Sequence, residues 1–207
     1  KAEAVREKCR IVQCASLLPV LMDVDTLALI NCFSEFDEKE SNKNKAVVQV
    51  NNECTNLAIM GNDPVPFIRS VYARGGEIVT VLADYSNINA SQAKKELLGG
   101  EQAFVNHNIF KNFEFIMNDI VGKVSDTLSY YSRQGNGPVD KISLCGDFAS
   151  IDTVREMFIE RLGIEVELWN PLDGLKSSAP VKKLVEQQGS AMAVAAGLAL
   201  RAENIEY

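Results

Sequence analysis

The 207 residues, 46% hydrophobic and 24% charged, are enough for one good-sized core or two small ones and argue against a disordered chain. Twenty-eight acidic against 21 basic residues leave a net charge of −7, which argues against a nucleic-acid backbone as partner. The longest apolar run, Ala191 to Leu200, is far too short to span a bilayer, and a start at Lys1 without a signal peptide is expected of a piece cut from something longer.

Apolar residues at Val5, Cys9, Val12 and Ala15 recur at helical spacing, so Lys1 to Leu18 is expected to be a helix that Pro19 stops. Val20 to Val24 reads as a short buried strand. Asp25 then caps a helix over Thr26 to Phe36, since its carboxylate can accept orphan N–H groups of the first turn. The polar run Asp37 to Lys45 has no apolar anchor and marks a surface linker and domain boundary. Beyond it, β-branched and aliphatic runs broken by Asn, Gly and Pro predict a three-strand meander, Ala46 to Asn51, Thr55 to Met60 and Val65 to Val71.

Helices are predicted from Glu77 to Tyr85 and from Asn89 to Leu98, the latter ended by Gly99 and Gly100. The stripe Ile109, Phe113, Ile116, Ile120, Val124, Leu128 and Tyr131 makes Val105 to Ser132 one long amphipathic helix whose apolar side is core. A strand over Asp140 to Leu144, a glycine turn, a helix over Ile151 to Leu162 and a strand over Glu165 to Trp169 follow. A short helix, Val181 to Gln187, precedes the Ala- and Gly-rich closing helix, Gly189 to Arg201, whose small residues and scant polar surface call for burial on nearly every side. Sheet, helices and then a β-turn-α-β unit define an α/β layered domain.

Five cysteines (Cys9, Cys14, Cys32, Cys54, Cys145), an odd number without a C-x-x-C, read as buried reduced thiols of a cytoplasmic chain rather than catalytic or redox centres. His107 is the single histidine and has no companions for a zinc site.

This order of elements resembles the second domain of the actin-like ATPase (ribonuclease H-like) fold. More closely, the chain is similar to the type IV pilus assembly protein PilM family. The stretches that carry the likeness are Met22 to Asp25 with the Leu27 helix, Val47 to Ile59, Arg74-Gly75-Gly76, Ile142 to Ala149, Arg161 to Val166, Asn170-Pro171 and Ala195 to Arg201. The resemblance implies two domains flanking a nucleotide cleft, with a mixed sheet and a three-strand antiparallel meander here. Residues 1–36 would be the tail of a truncated first domain and an interdomain helix. Residues 46–207 would be the second domain, closed by the interdomain helix 189–201, and an exposed apolar surface is expected where the first domain sits.

Relatives of this fold place Asp-x-Gly at the first hairpin, where a carboxylate holds magnesium-bound water and glycine lets backbone N–H groups approach phosphate. The matching residues are Gln49, Val50 and Asn51: a neutral amide and an added side chain. Thr55 either touches phosphate or simply starts its strand. Where a Gly-Gly turn would pack adenosine, Cys145-Gly146-Asp147-Phe148 keeps one glycine, which also serves as an ordinary turn residue. Lys94 stands where the helix beside adenosine would carry an acid.

The resemblance therefore leaves two readings open. One is a cytoplasmic scaffold, peripheral to the inner membrane, of a type IV pilus or related secretion machine. Its nucleotide site is degenerate at Gln49, Asn51, Thr55, Gly146 and Asp147, it binds inner-membrane assembly proteins and it is open to self-association. The other is an active actin-like ATPase that binds ATP and magnesium in the cleft. A third possibility, a generic α/β domain, predicts a polar exposed face around Ala191 to Leu200.

Overall fold

The computed structural model describes residues 2–36, 43–61, 63–72, 75–98, 107–173, 176 and 178–202. Two helices, α1 (Ala2–Cys14) and α2 (Asp25–Phe36), precede a meander of β1 (Lys45–Val50), β2 (Thr55–Met60) and β3 (Phe67–Val71). Three helices follow: α3 (Gly75–Ser86), α4 (Ala90–Leu98) and α5 (His107–Tyr131), the last running into a π-helical turn, Ser132–Asn136. Then come β4 (Lys141–Cys145), α6 (Asp152–Leu162), β5 (Glu165–Leu168), α7 (Ala179–Gln188), a 3₁₀ turn at Gly189–Met192, and α8 (Ala193–Ala202).

The strands form one sheet in the order β3-β2-β1-β4-β5, antiparallel within the meander and parallel from β1 through β5. Side chains alternate across it. Ala46, Val48, Val50, Leu57, Ile59, Ile142 and Leu144 face the larger core, which Ile78, Leu82, Leu97, Phe113, Met117, Ile120, Val124 and Phe158 complete from α3 to α6. Val47, Ala58 and Cys145 face the other way, onto Leu29, Cys32 and Phe33 of α2, Ala193 of α8 and Trp169. Covered on both sides, β1 is buried along its whole length, which is why it reads as an almost unbroken apolar run. The α5 stripe is buried from Phe113 to Tyr131 as its spacing predicts; the side chain of Ile109 and the expected helix start at Val105 lie outside what is described.

Several expectations are corrected. Val20 to Val24 is not a strand: it pairs with neither sheet edge, and Val20, Leu21, Met22 and Val24 are exposed. Asp25 is not the cap but the first residue of α2; the Val24 carbonyl accepts the N–H groups of Leu27 (2.8 Å) and Ala28 (3.0 Å). β3 begins at Phe67 rather than Val65, because Val65 donates its N–H to the Asp63 carboxylate at 2.9 Å and Pro66 has none to give. The polar linker ends earlier than predicted, since Asn44 and Lys45 are buried; residues 37–42 and Arg74 lie outside the described part. Of the cysteines only Cys32 and Cys145 are buried, Cys14 is exposed, and all five are free. The closing helix packs its small residues on α2, but Met192, Ala195, Leu198 and Ala199 face outward, so the face around Ala191 to Leu200 is apolar rather than polar. α1 buries none of its residues.

Candidate functional site

The C-terminal ends of β1 and β4 lie side by side, Gln49 opposite Cys145, and the two turns that leave them meet. Gly146 makes that meeting possible. Its φ of +103° suits glycine alone, and a β-carbon there would sit 2.6 Å from the Val50 carbonyl oxygen and 2.7 Å from Asn51 Oδ1. The chain is then stitched to the hairpin: Asp147 N–H donates to Asn51 Oδ1 (3.3 Å) and Phe148 N–H to the Val50 carbonyl (3.2 Å). Phe148 itself is fully buried in the larger core.

Asp147 bridges to a third element. Its Oδ2 lies 2.8 Å from Lys94 Nζ on α4, with both side chains partly exposed. The turn, the glycine loop and α4 thus converge on one neutralised ion pair. Gln49 does not join them. It is 2% exposed, and its Oε1 accepts from Asn56 Nδ2 at 3.3 Å, while Asn56 Oδ1 accepts from the Ser70 hydroxyl at 2.8 Å. The amide is part of a cross-strand row over β1, β2 and β3 on the α2 side of the sheet.

Two polar atoms at this end stand out. Thr55 is wholly buried where β2 begins, and its Oγ1 has no hydrogen-bond partner; neither does the buried Oδ1 of Asn52 in the turn. Buried polar atoms without partners are uncommon and costly. Burial pushes the Cys32 thiol up to about 11 and raises Cys145 further, so both are poor thiolates. Cys54 in the turn is raised too, first by burial and then by Asp25 and Glu53. Among the described residues no three His, Cys, Asp or Glu side chains converge as a metal site.

Sequence reasoning missed Ser190. Its carbonyl accepts the Gly146 N–H at 3.0 Å, closing the site from the α8 side. It is delivered there by Gly189, which lies so close to the Asn170 side chain that a β-carbon would have to push that amide aside. Asn170 in turn donates to the Val185 carbonyl at 3.0 Å. Asn170-Pro171 was visible as part of the resemblance, but its pairing with Gly189 was not.

The sheet order and the two-sided helical cover are those of the actin-like fold, and solved structures agree. The chain superposes on the PilM-PilN type IV pilus biogenesis complex with TM-score 0.76 and 21% identity, covering 97% of this chain and 58% of that one. The ethanolamine utilization protein EutJ from Carboxydothermus hydrogenoformans gives TM-score 0.59 at 16% identity, covering 92% and 58%. Ta0583, an archaeal actin homolog solved with ADP, gives 0.60 at 14%, covering 91% and 58%. The chain therefore spans little more than half the length of these relatives. No curated protein matches its sequence.

At that level of identity the structures define the class, an actin-like α/β protein. The sequence defines the family: residues 1–203 match the type IV pilus assembly protein PilM family, and the chain belongs to it.

Proposed function

We propose that this chain is the second-domain part of a PilM-like scaffold in type IV pilus assembly or a related secretion machine, and that its half of the nucleotide cleft has become structural. Residues 1–36 belong, on this reading, to a first domain and an interdomain helix, and residues 46–207 to the second. The observation that carries the proposal is the Lys94–Asp147 pair fastened to Asn51. A bound nucleotide with magnesium needs carboxylate, bare backbone and free cations from such loops. Here Gln49 is neutral and engaged, Asn51 occupies the space above the turn, and Lys94 is already neutralised by Asp147. These residues do not fit that group.

The partners are inner-membrane assembly proteins. A relative solved in a PilM-PilN complex supports this choice, and no described helix is long and apolar enough to cross a membrane. A cytoplasmic place at the inner membrane follows from that partnership, and self-association is compatible with the apolar outer side of α8. The test is calorimetric titration of the full-length protein with ATP and magnesium. No binding at micromolar concentrations is expected, and low-micromolar, magnesium-dependent binding overturns the proposal.

One observation favours the alternative, an ATPase whose site survives through other contacts. Thr55 Oγ1 and Asn52 Oδ1 are buried without partners beside the hairpin, as atoms awaiting a ligand are. The same titration with Thr55→Val separates the readings: an ATPase loses affinity with the hydroxyl, whereas a scaffold has none to lose.

A further inference from the structure

The segment leading into α2 inverts the usual partition of side chains. Leu17, Leu18, Val20, Leu21, Met22 and Val24 are exposed, whereas the carboxylate of Asp23 among them is only 8% exposed. A carboxylate withdrawn from water is costly unless it is paired. Arg201 faces it from α8 as an ion pair, its Nε 2.6 Å from Asp23 Oδ2 but not aligned as a hydrogen bond, while Asp23 Oδ1 accepts the Val24 N–H at 2.8 Å.

The position of this pair is informative. Asp23 stands just before the N-terminus of α2 and Arg201 at the C-terminus of α8, the ends at which the helix dipoles favour a negative and a positive charge. About one helical turn in from those two ends, Gly197 is seated so closely on the Ala28 carbonyl that a β-carbon would run into that backbone oxygen. α2 and α8 thus cross antiparallel, pinned by a glycine contact on one side and an ion pair on the other.

We infer that Asp23 and Arg201 form a clasp that fixes the direction in which the chain enters α2, with the Gly197–Ala28 contact as its fulcrum. The clasp makes residues 17–24 move with the end of α8, although their apolar side chains are exposed. A force on this segment therefore reaches α8, and through the Ser190 carbonyl just before it, Gly146.

Hydrogen exchange read by mass spectrometry on the full chain tests this with Asp23→Asn, Arg201→Gln and the double variant. Each single change is expected to speed exchange in the first turn of α2, where the Leu27 and Ala28 N–H groups are bonded to the Val24 carbonyl, roughly tenfold, as on losing a partly desolvated pair that guards local opening. The double variant should add nothing, and exchange in α5 should stay as it was. Unchanged exchange in the first turn of α2, additive effects of the two changes, or a parallel rise in α5 each overturn the clasp.

Discussion

The two ends of β1 are built to opposite standards. At the N-terminal end Asn44, 9% exposed, has its polar groups matched: Nδ2 donates to the carbonyls of Asn136 and Pro138, both at 2.8 Å, and Oδ1 accepts the Tyr131 hydroxyl at 3.4 Å. Its N–H meets the Asp140 carboxylate and its carbonyl the Asp140 N–H, again at 2.8 Å. Gly61 has no β-carbon because Asn44 Oδ1 and Tyr131 OH fill that space. At the C-terminal end, by contrast, the loops meet closely but leave Thr55 Oγ1 and Asn52 Oδ1 buried and unmatched. A satisfied polar network rigidifies, and an unsatisfied one marks a place where something other than stability has kept the polar atoms.

The comparison is broken most directly at its stronger end. Asn44→Ala strips partners from two carbonyls and a hydroxyl at once, and should cost about 3 to 4 kcal/mol, read as a lower urea midpoint at unchanged slope. A loss below ~1 kcal/mol would show that the staple is ornamental and that the two ends do not differ. At the other end, Gly146→Ala puts a side chain at a φ of +103° and against the Val50 carbonyl. A cost of about 2 kcal/mol is expected, since part of the crowding is relieved by moving the Asn51 side chain. An unchanged urea midpoint would mean that the two turns do not truly interlock.

How much of this was legible in the residues differs between the same two ends. β1, β2 and the α5 stripe announce themselves through local periodicity, and Gly146, Asp147, Asn51 and Lys94, singled out from the sequence, came together in space. Gln49 did not, because which face of a strand a residue takes is set by register, and register places it opposite Asn56 in the cross-strand row. Asn44 looked like the end of a polar linker; its partners lie more than ninety positions away, at Asn136 and Pro138. Val20 to Val24 misled for a related reason. Apolar, β-branched residues read as a strand only on the assumption that a neighbouring strand waits for them, and among the described residues no strand pairs with them.

The smaller effects sharpen the comparison. Lys94→Met removes an ion pair whose members are 38% and 26% exposed, so stability should fall by no more than about 1 kcal/mol. Its structural consequence is more telling: if the pair fastens α4 to the glycine loop, hydrogen exchange in α4 should rise while that of α5 holds. Equal exchange in α4 with and without Lys94 would reduce the pair to a surface contact.

Thr55→Val is the finest probe, because it replaces a hydroxyl that has no partner with a methyl group of similar size. In an ordinary core position such a change sacrifices a hydrogen bond and destabilises. Here there is no bond to lose, and the desolvation cost of the orphan oxygen is relieved. The expected result is a stability equal to or up to about 1 kcal/mol above that of the parent, measured by urea unfolding. A gain would mean that the native hydroxyl is held against the interest of folding, as at a site shaped for a ligand. A loss above ~1 kcal/mol would reveal a partner for Oγ1 and remove the contrast between the two ends of β1.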